Sequence, residues 1–185
     1  MSSYSRNSRK PIQALQLALA AALLAGSAAH AADEPRTFEL TAFSNGKGGT
    51  ALVSGDYTGA VRVLSTSVNG LDSDTANTNR CVAYVITRQI EAARIACNEA
   101  VRDAQQQISS MPISMSFARS DYRDYLALAY SNRAVFNWMS NDTAAAQSDL
   151  KKAANVAPKA EFVARNMTAL QSHSTVAQVA VAPKR

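Results

Sequence analysis

The sequence predicts an all-α fold, a short solenoid of about two and a half to three helical hairpins closed by a C-terminal capping helix. Two observations predict it. Only 7 glycines and 5 prolines occur among 185 residues, and alanine is abundant while β-branched runs are short, which favours helices. Three segments also share one spacing of small and apolar residues, which predicts that a single helical unit recurs along the chain.

The recurring segments are SGDYTGAVRVLSTS, TRQIEAARIACNEA and SNDTAAAQSDLKKA, which begin at Ser54, Thr87 and Ser140. Each has a polar turn, an alanine, an apolar residue four positions later and a small residue three positions after that. Such intervals place the side chains on one stripe of a helix, where small residues let a second helix approach closely. The three stripes are Ala60, Leu64 and Ser67; Ala93, Cys97 and Ala100; and Ala146, Leu150 and Ala153.

Another helical segment precedes the second and third turns. NTNRCVAYVITR and YLALAYSNRAVFNWMSN share an Asn-Arg pair followed by a small residue, which is Cys81 in one and Ala134 in the other. Each unit is therefore a helix, a tight turn and a second helix. This unit resembles the tetratricopeptide repeat family, whose hairpins of about 34 residues stack into a solenoid.

The third unit carries the resemblance best. It has Arg133 and Asn137 where the family has leucine and tyrosine, but it retains Tyr130, Ala134, Ala146, Leu150, Ala153 and Pro158. The second unit has Gln105 in place of the family's proline and retains Cys81, Tyr84, Ala93, Cys97 and Ala100. The first unit is similar only from Gly55 onward.

The resemblance implies that a peptide or partner protein binds in a groove lined by the first helix of each hairpin. The implied lining residues are Asn79, Val82 and Ile86 with Asn132, Val135 and Met139. Asparagine can donate to and accept from an extended backbone, although both asparagines could equally serve the protein's own structure. The lysines of carboxylate-binding members have no counterpart here. Trp138 is either an anchor for a partner or a residue packed between repeats.

The first 31 residues have the pattern of a cleavable export signal. Basic residues at positions 6, 9 and 10 precede an apolar run over 12–25. Ala29 and Ala31 then place a small side chain at each of the two positions that a signal peptidase reads, which predicts cleavage after Ala31. An uncleaved anchor is the alternative. Three of the 19 basic residues and none of the 14 acidic ones lie in this segment, so the mature chain has a net charge of +2. The mature protein is therefore predicted to be periplasmic or secreted, with no membrane segment and no nucleic-acid partner.

An extended arm is predicted over residues 32–48, followed by a helical domain over 49–172 and a flexible tail over 173–185. NGKGGT, at residues 45–50, resembles a phosphate-binding loop, but Lys47 precedes the glycines instead of following them. We interpret it as the approach to a shortened first helix. A loop insert is predicted over 103–120, either as a partner-contacting flap or as a lid on the core.

Side-chain chemistry argues against catalysis. His173 is the one histidine left after signal cleavage, so a nucleophile-histidine pair or a histidine-rich metal site is not expected. We expect no cofactor and no metal, and a hydrolase is a remote alternative. Cys81 and Cys97 are equidistant from the turn at Gln89, which would place them level in a hairpin. They form either a disulfide or two reduced, buried thiols.

These observations predict a non-catalytic protein–protein interaction module in the bacterial periplasm. The alternative is a structural protein of the cell envelope that contacts its partners through the 103–120 insert and the tail.

Overall fold

The computed structural model describes residues 37–66, 75–112, 114 and 116–181. Within these residues the regular structure is entirely helical, so the prediction of an all-α fold is confirmed. The predicted signal, arm residues 32–36 and Ser67 lie outside the described residues. The helices of the described part are α1 Gly49–Val53, α2 Tyr57–Ser65, α3 Ala76–Ile86, α4 Ile90–Ser110, α5 Ser116–Met139, α6 Thr143–Val156 and α7 Glu161–Val181.

Each helix packs against the next one along the chain, and α3, α5 and α7 also pack side by side. The odd-numbered helices thus share a continuous surface. The alanines that the sequence places at helix contacts are all buried. Ala100 is 3% exposed, and there is no exposed surface on Ala60, Ala93, Ala134, Ala146 or Ala153. Since a methyl side chain lets helix backbones approach closely, these positions set the spacing of the helices.

The turn that precedes each even-numbered helix α2, α4 and α6 repeats one backbone feature. Gly55, Arg88 and Asn141 all have a positive φ, at 82°, 57° and 62°. In two of these turns an aspartate then caps the helix: Asp56 accepts from the Gly59 N–H at 2.8 Å and Asp142 from the Ala145 N–H at 2.9 Å. The left-handed residue reverses the chain, and the cap satisfies a backbone donor of the first helical turn.

The predicted loop over 103–120 is wrong. Helix α4 continues to Ser110 and α5 already begins at Ser116, so five residues connect them. Ala104 and Ile108, one helical turn apart, pack against a core cluster to which α4, α5, α6 and α7 all contribute. No glycine or proline occurs in this segment before Pro112, so its glutamines extend the helix along its exposed side.

The predicted flexible tail is also wrong as far as Val181, because α7 runs from Glu161 to that residue and includes His173. The segment STVAQVAV contains neither glycine nor proline, so its alanine, glutamine and valine residues can continue the helix. The remaining residues, 182–185, lie outside the described residues.

The glycines of NGKGGT form the turn that joins the arm to α1. Gly48 has a φ of 71°, and a Cβ on Gly49 would lie 1.9 Å from the Phe43 carbonyl oxygen. The Gly49 N–H donates to the Gly46 carbonyl at 2.8 Å. This segment therefore requires glycine for a close turn, and the helix that follows it has only 5 residues.

Candidate functional site

The N-terminal arm, residues 37–43, lies across the surface formed by α3, α5 and α7. Three asparagines hold it, one from each of these helices. Each side-chain amide accepts a hydrogen bond from the backbone N–H of one arm residue and donates to the carbonyl of the same residue. The N–H and carbonyl distances are 2.8 and 3.0 Å for Phe43 with Asn79, 3.0 and 2.8 Å for Thr41 with Asn132, and 2.7 and 2.8 Å for Glu39 with Asn166.

The asparagines are core residues, since Asn79 and Asn166 have no exposed surface and Asn132 is 1% exposed. A buried amide without partners is costly, so each of these side chains depends on the arm for hydrogen bonding. Two of them make a further bond: Asn79 donates to the Lys47 carbonyl at 3.0 Å and Asn166 to the Ser131 hydroxyl at 2.9 Å.

The partners of the asparagines are spaced by two residues along the arm, which is the period of an extended strand. Neighbouring odd-numbered helices present successive asparagines at the spacing that this strand requires. We call the surface that carries Asn79, Asn132 and Asn166 the groove. Because these hydrogen bonds are made to backbone atoms of the arm, they do not depend on the identity of its side chains.

The side chains of the arm alternate between two sides. Those of Phe38, Leu40 and Ala42 pack on the apolar core. The Phe38 ring lies 4.5 Å from that of Trp138, centroid to centroid. On the other side, the rings of Phe43 and Tyr125 meet edge to face at 4.7 Å. The arm is therefore held by apolar contacts in addition to backbone hydrogen bonds.

An ion pair fixes the beginning of the arm. Arg165 of α7 binds both carboxylate oxygens of Glu39 and also donates to Glu161 at 3.2 Å. Hydrogen bonding to Glu39 is the largest cause that raises the pKa of the Arg165 guanidinium above its ordinary value. Because this arginine is exposed, the pair orients the arm more than it stabilises the fold.

The structure brings the six predicted groove residues together beside the arm. Asn79 and Asn132 bind its backbone, while Val82 belongs to the core cluster that contacts Leu40. Ile86, Val135 and Met139 line an open cleft of about 540 Å³ between the arm and the C-terminal ends of α3 and α5. The other residues around this cleft are Thr37, Phe38, Leu40, Val85, Arg88 and Trp138.

Asn166 is the groove residue that the sequence reasoning missed. It follows Asn132 by 34 positions, the length of one tetratricopeptide repeat, and this interval is the signal that could have identified it. A second signal was the alternation of residues 38–43, FELTAF, which places apolar side chains at every second position.

Cys81 of α3 and Cys97 of α4 form a disulfide, with their Cα atoms 4.6 Å apart. Both cysteines are buried in a core cluster that includes Leu40 of the arm. The bond therefore links the groove helix α3 to the helix behind it, two residues from Asn79.

Arg133 and Asn137, the two departures from the family pattern, hold a buried carboxylate. Arg133 donates two bonds of 2.8 Å to Asp149, and Asn137 adds one of 3.0 Å. Asp149 is 4% exposed and Arg133 19%. Hydrogen bonding to Asp149 raises the pKa of Arg133 despite its burial. This cluster ties α5 to α6 behind the groove.

Among the described residues, no group of histidine, cysteine and acidic side chains is arranged to hold a metal ion. Within the same part of the chain, no helix is sufficiently long and apolar to cross a bilayer. Comparisons of the sequence with protein-family models and curated proteins, and of the fold with solved structures, find no match.

Proposed function

We propose that this protein is a non-catalytic protein–protein interaction module of the bacterial periplasm, and that its partner binds on the face that carries the groove. The observation that carries the proposal is the set of three buried asparagines, which bind the backbone of an extended segment. A surface of this kind suits protein partners with extended segments, because every such segment presents the same backbone groups.

The proposed architecture is a short tetratricopeptide-like solenoid, with hairpins α1–α2, α3–α4 and α5–α6 and with α7 as the cap. The recurrence of a left-handed residue at Gly55, Arg88 and Asn141 supports it, as does the burial of the alanine stripes. In such a solenoid the first helices of the hairpins line the concave face. Here those helices are α3 and α5, and α7 continues the row.

The proposed location follows from the signal pattern of residues 1–31 and agrees with the disulfide, since an oxidising compartment preserves such bonds. Cleavage after Ala31 would leave the described arm, residues 37–43, within the first dozen residues of the mature chain.

Photo-crosslinking in living cells tests the function. A benzophenone amino acid is placed at Met139, on the cleft, or at Val63, an exposed residue of α2 that does not line the cleft. The full chain with its signal is expressed in its host. We expect a discrete adduct to another protein from position 139 and none from position 63. Adducts that are absent at 139, or identical at both positions, would contradict binding at this face.

A further inference from the structure

The arm has a second backbone edge that the groove does not use. In an extended chain the N–H and C=O groups of alternate residues point to opposite edges. Because Glu39, Thr41 and Phe43 direct theirs to the asparagines, Leu40 and Ala42 direct theirs away from the groove. Within the described residues these outer groups of Leu40 and Ala42 have no hydrogen-bond partner.

This outer edge adjoins the open cleft of about 540 Å³. Leu40 contributes to both, since its backbone belongs to the outer edge and its side chain lines the cleft. The facing walls are apolar and come from Ile86, Val135 and Met139. In an antiparallel pair, side chains of opposed residues lie on the same side of the sheet. A segment paired with Leu40 would therefore direct every second side chain toward these walls.

In the part of the chain that the structure describes, one charged residue lines the cleft, the exposed Arg88. Among the described residues its guanidinium has no hydrogen-bond or ion-pair partner. Its backbone has a φ of 57°, at the turn position where the equivalent residues are Gly55 and Asn141. A long cation occupies a position where the backbone favours glycine or asparagine. It gives the rim of the cleft a positive charge, and no carboxylate lines the cleft among the described residues.

We propose that the outer edge of the arm is itself a binding site, onto which an extended segment of another protein adds as a second strand. This inference rests on the proposed function and names the partner's chemistry. The incoming segment has apolar side chains at alternate positions, which enter the cleft, and an acidic group that pairs with Arg88. Its backbone bonds to Leu40 and Ala42. The asparagines hold the arm in place, and the arm serves as the template strand.

Fluorescence of Trp138, the single tryptophan of the chain, can measure peptide binding. Trp138 lines the cleft, so an occupant of the cleft alters its emission. Random nonapeptides displayed on phage are panned on the exported, processed protein, and the enriched sequences are synthesised and titrated against Trp138 fluorescence. We expect alternating apolar residues and one acidic residue in these peptides. N-methylation of the peptide should weaken binding at every second residue, because only one edge of the peptide faces the arm.

Two protein variants locate the site. Ala42→Pro removes an outward N–H while leaving the Thr41 bonds to Asn132, and we expect it to weaken peptide binding at least about fivefold. Ala42→Val, which adds bulk but keeps the N–H, is its control. Arg88→Gln should weaken binding about two- to fivefold at low salt, and replacing the acidic residue of the peptide by its amide should do the same.

Other outcomes would overturn the inference. These are the absence of any enriched peptide, binding that Ala42→Pro leaves unchanged, or N-methylation effects without a period of two. If a bound peptide increases hydrogen exchange at the Thr41 and Phe43 amides, the peptide has displaced the arm from the asparagines. Displacement of the arm would contradict this inference but still support the proposed function. If crosslinks from position 139 were absent as well, both would be contradicted.

Discussion

Substitution of Asn132 tests whether the asparagines hold the arm. Asn132→Ala removes two hydrogen bonds to Thr41, each with a net value of about 0.5–1.5 kcal/mol. We therefore expect a loss of about 2 kcal/mol in the free energy of unfolding. For a domain of this size that loss corresponds to about 4–8 °C in the unfolding temperature. Asn79 and Asn166 continue to hold the arm on either side, so the loss should stay near this value.

Two further variants serve as comparisons for Asn132→Ala. Asn132→Asp has nearly the same shape, but a carboxylate cannot donate to the Thr41 carbonyl and would face it with a second acceptor, so we expect a larger loss than for alanine. Asn155→Ala, at an exposed position of α6, should change stability by less than about 0.5 kcal/mol. Thermal unfolding followed by circular dichroism measures all three.

Hydrogen exchange at the Thr41 amide tests the same contact locally. Its protection should fall in Asn132→Ala and remain in Asn155→Ala. The reasoning is refuted if Asn132→Ala unfolds at the same temperature as Asn155→Ala and keeps its Thr41 amide protected.

Four further outcomes are expected. Asp149→Ala leaves Arg133 half-buried without its carboxylate and should cost about 3–5 kcal/mol in urea unfolding; a loss below about 1 kcal/mol would contradict this. Reducing the bond between Cys81 and Cys97 should cost about 3 kcal/mol, and a variant with both cysteines replaced by alanine should then be indifferent to reductant. Arg88→Gly should stabilise the fold by about 1 kcal/mol in thermal unfolding, since glycine adopts a positive φ freely, and a loss of stability would argue against strain at this turn. Cleavage after Ala31 predicts a mature protein whose first residue, read by N-terminal sequencing of the exported chain, is alanine 32; an intact N-terminus would support the membrane-anchor alternative.

Local periodicity was sufficient to predict the helical segments that carry the alanine stripes. The buried stripes that contain Ala93 and Ala146 depend on the spacing of a single helix, so the sequence displays them directly. The same local reasoning failed at 103–120, a polar segment predicted as a loop, in which α4 in fact continues to Ser110. An exposed helical surface is equally polar, and the contact that distinguishes the two, Ile108 on the core, depends on a distant helix.

The groove was predictable only in part. The equivalence of Asn79 and Asn132 within the repeat left two roles open, binding to an extended backbone or support of the protein's own structure. Nothing local showed that both apply because the extended backbone is the chain's own arm. Its hydrogen bond to Asn166 joins residues 127 positions apart. Contacts between residues so far apart in the sequence produce no periodic pattern that could be read from it. The alternation of residues 38–43 is nevertheless compatible with a strand.

The use of asparagine in the groove has a physical reason. A helix has no free backbone amides along its side, so it cannot pair with a strand as another strand would. The asparagine side chain ends in the same amide group as the backbone and can donate and accept in one plane. Three such side chains on neighbouring helices, Asn79, Asn132 and Asn166, replace one edge of a sheet. This arrangement fixes the arm in a strand conformation without a second strand, which leaves its opposite edge, at Leu40 and Ala42, open for pairing.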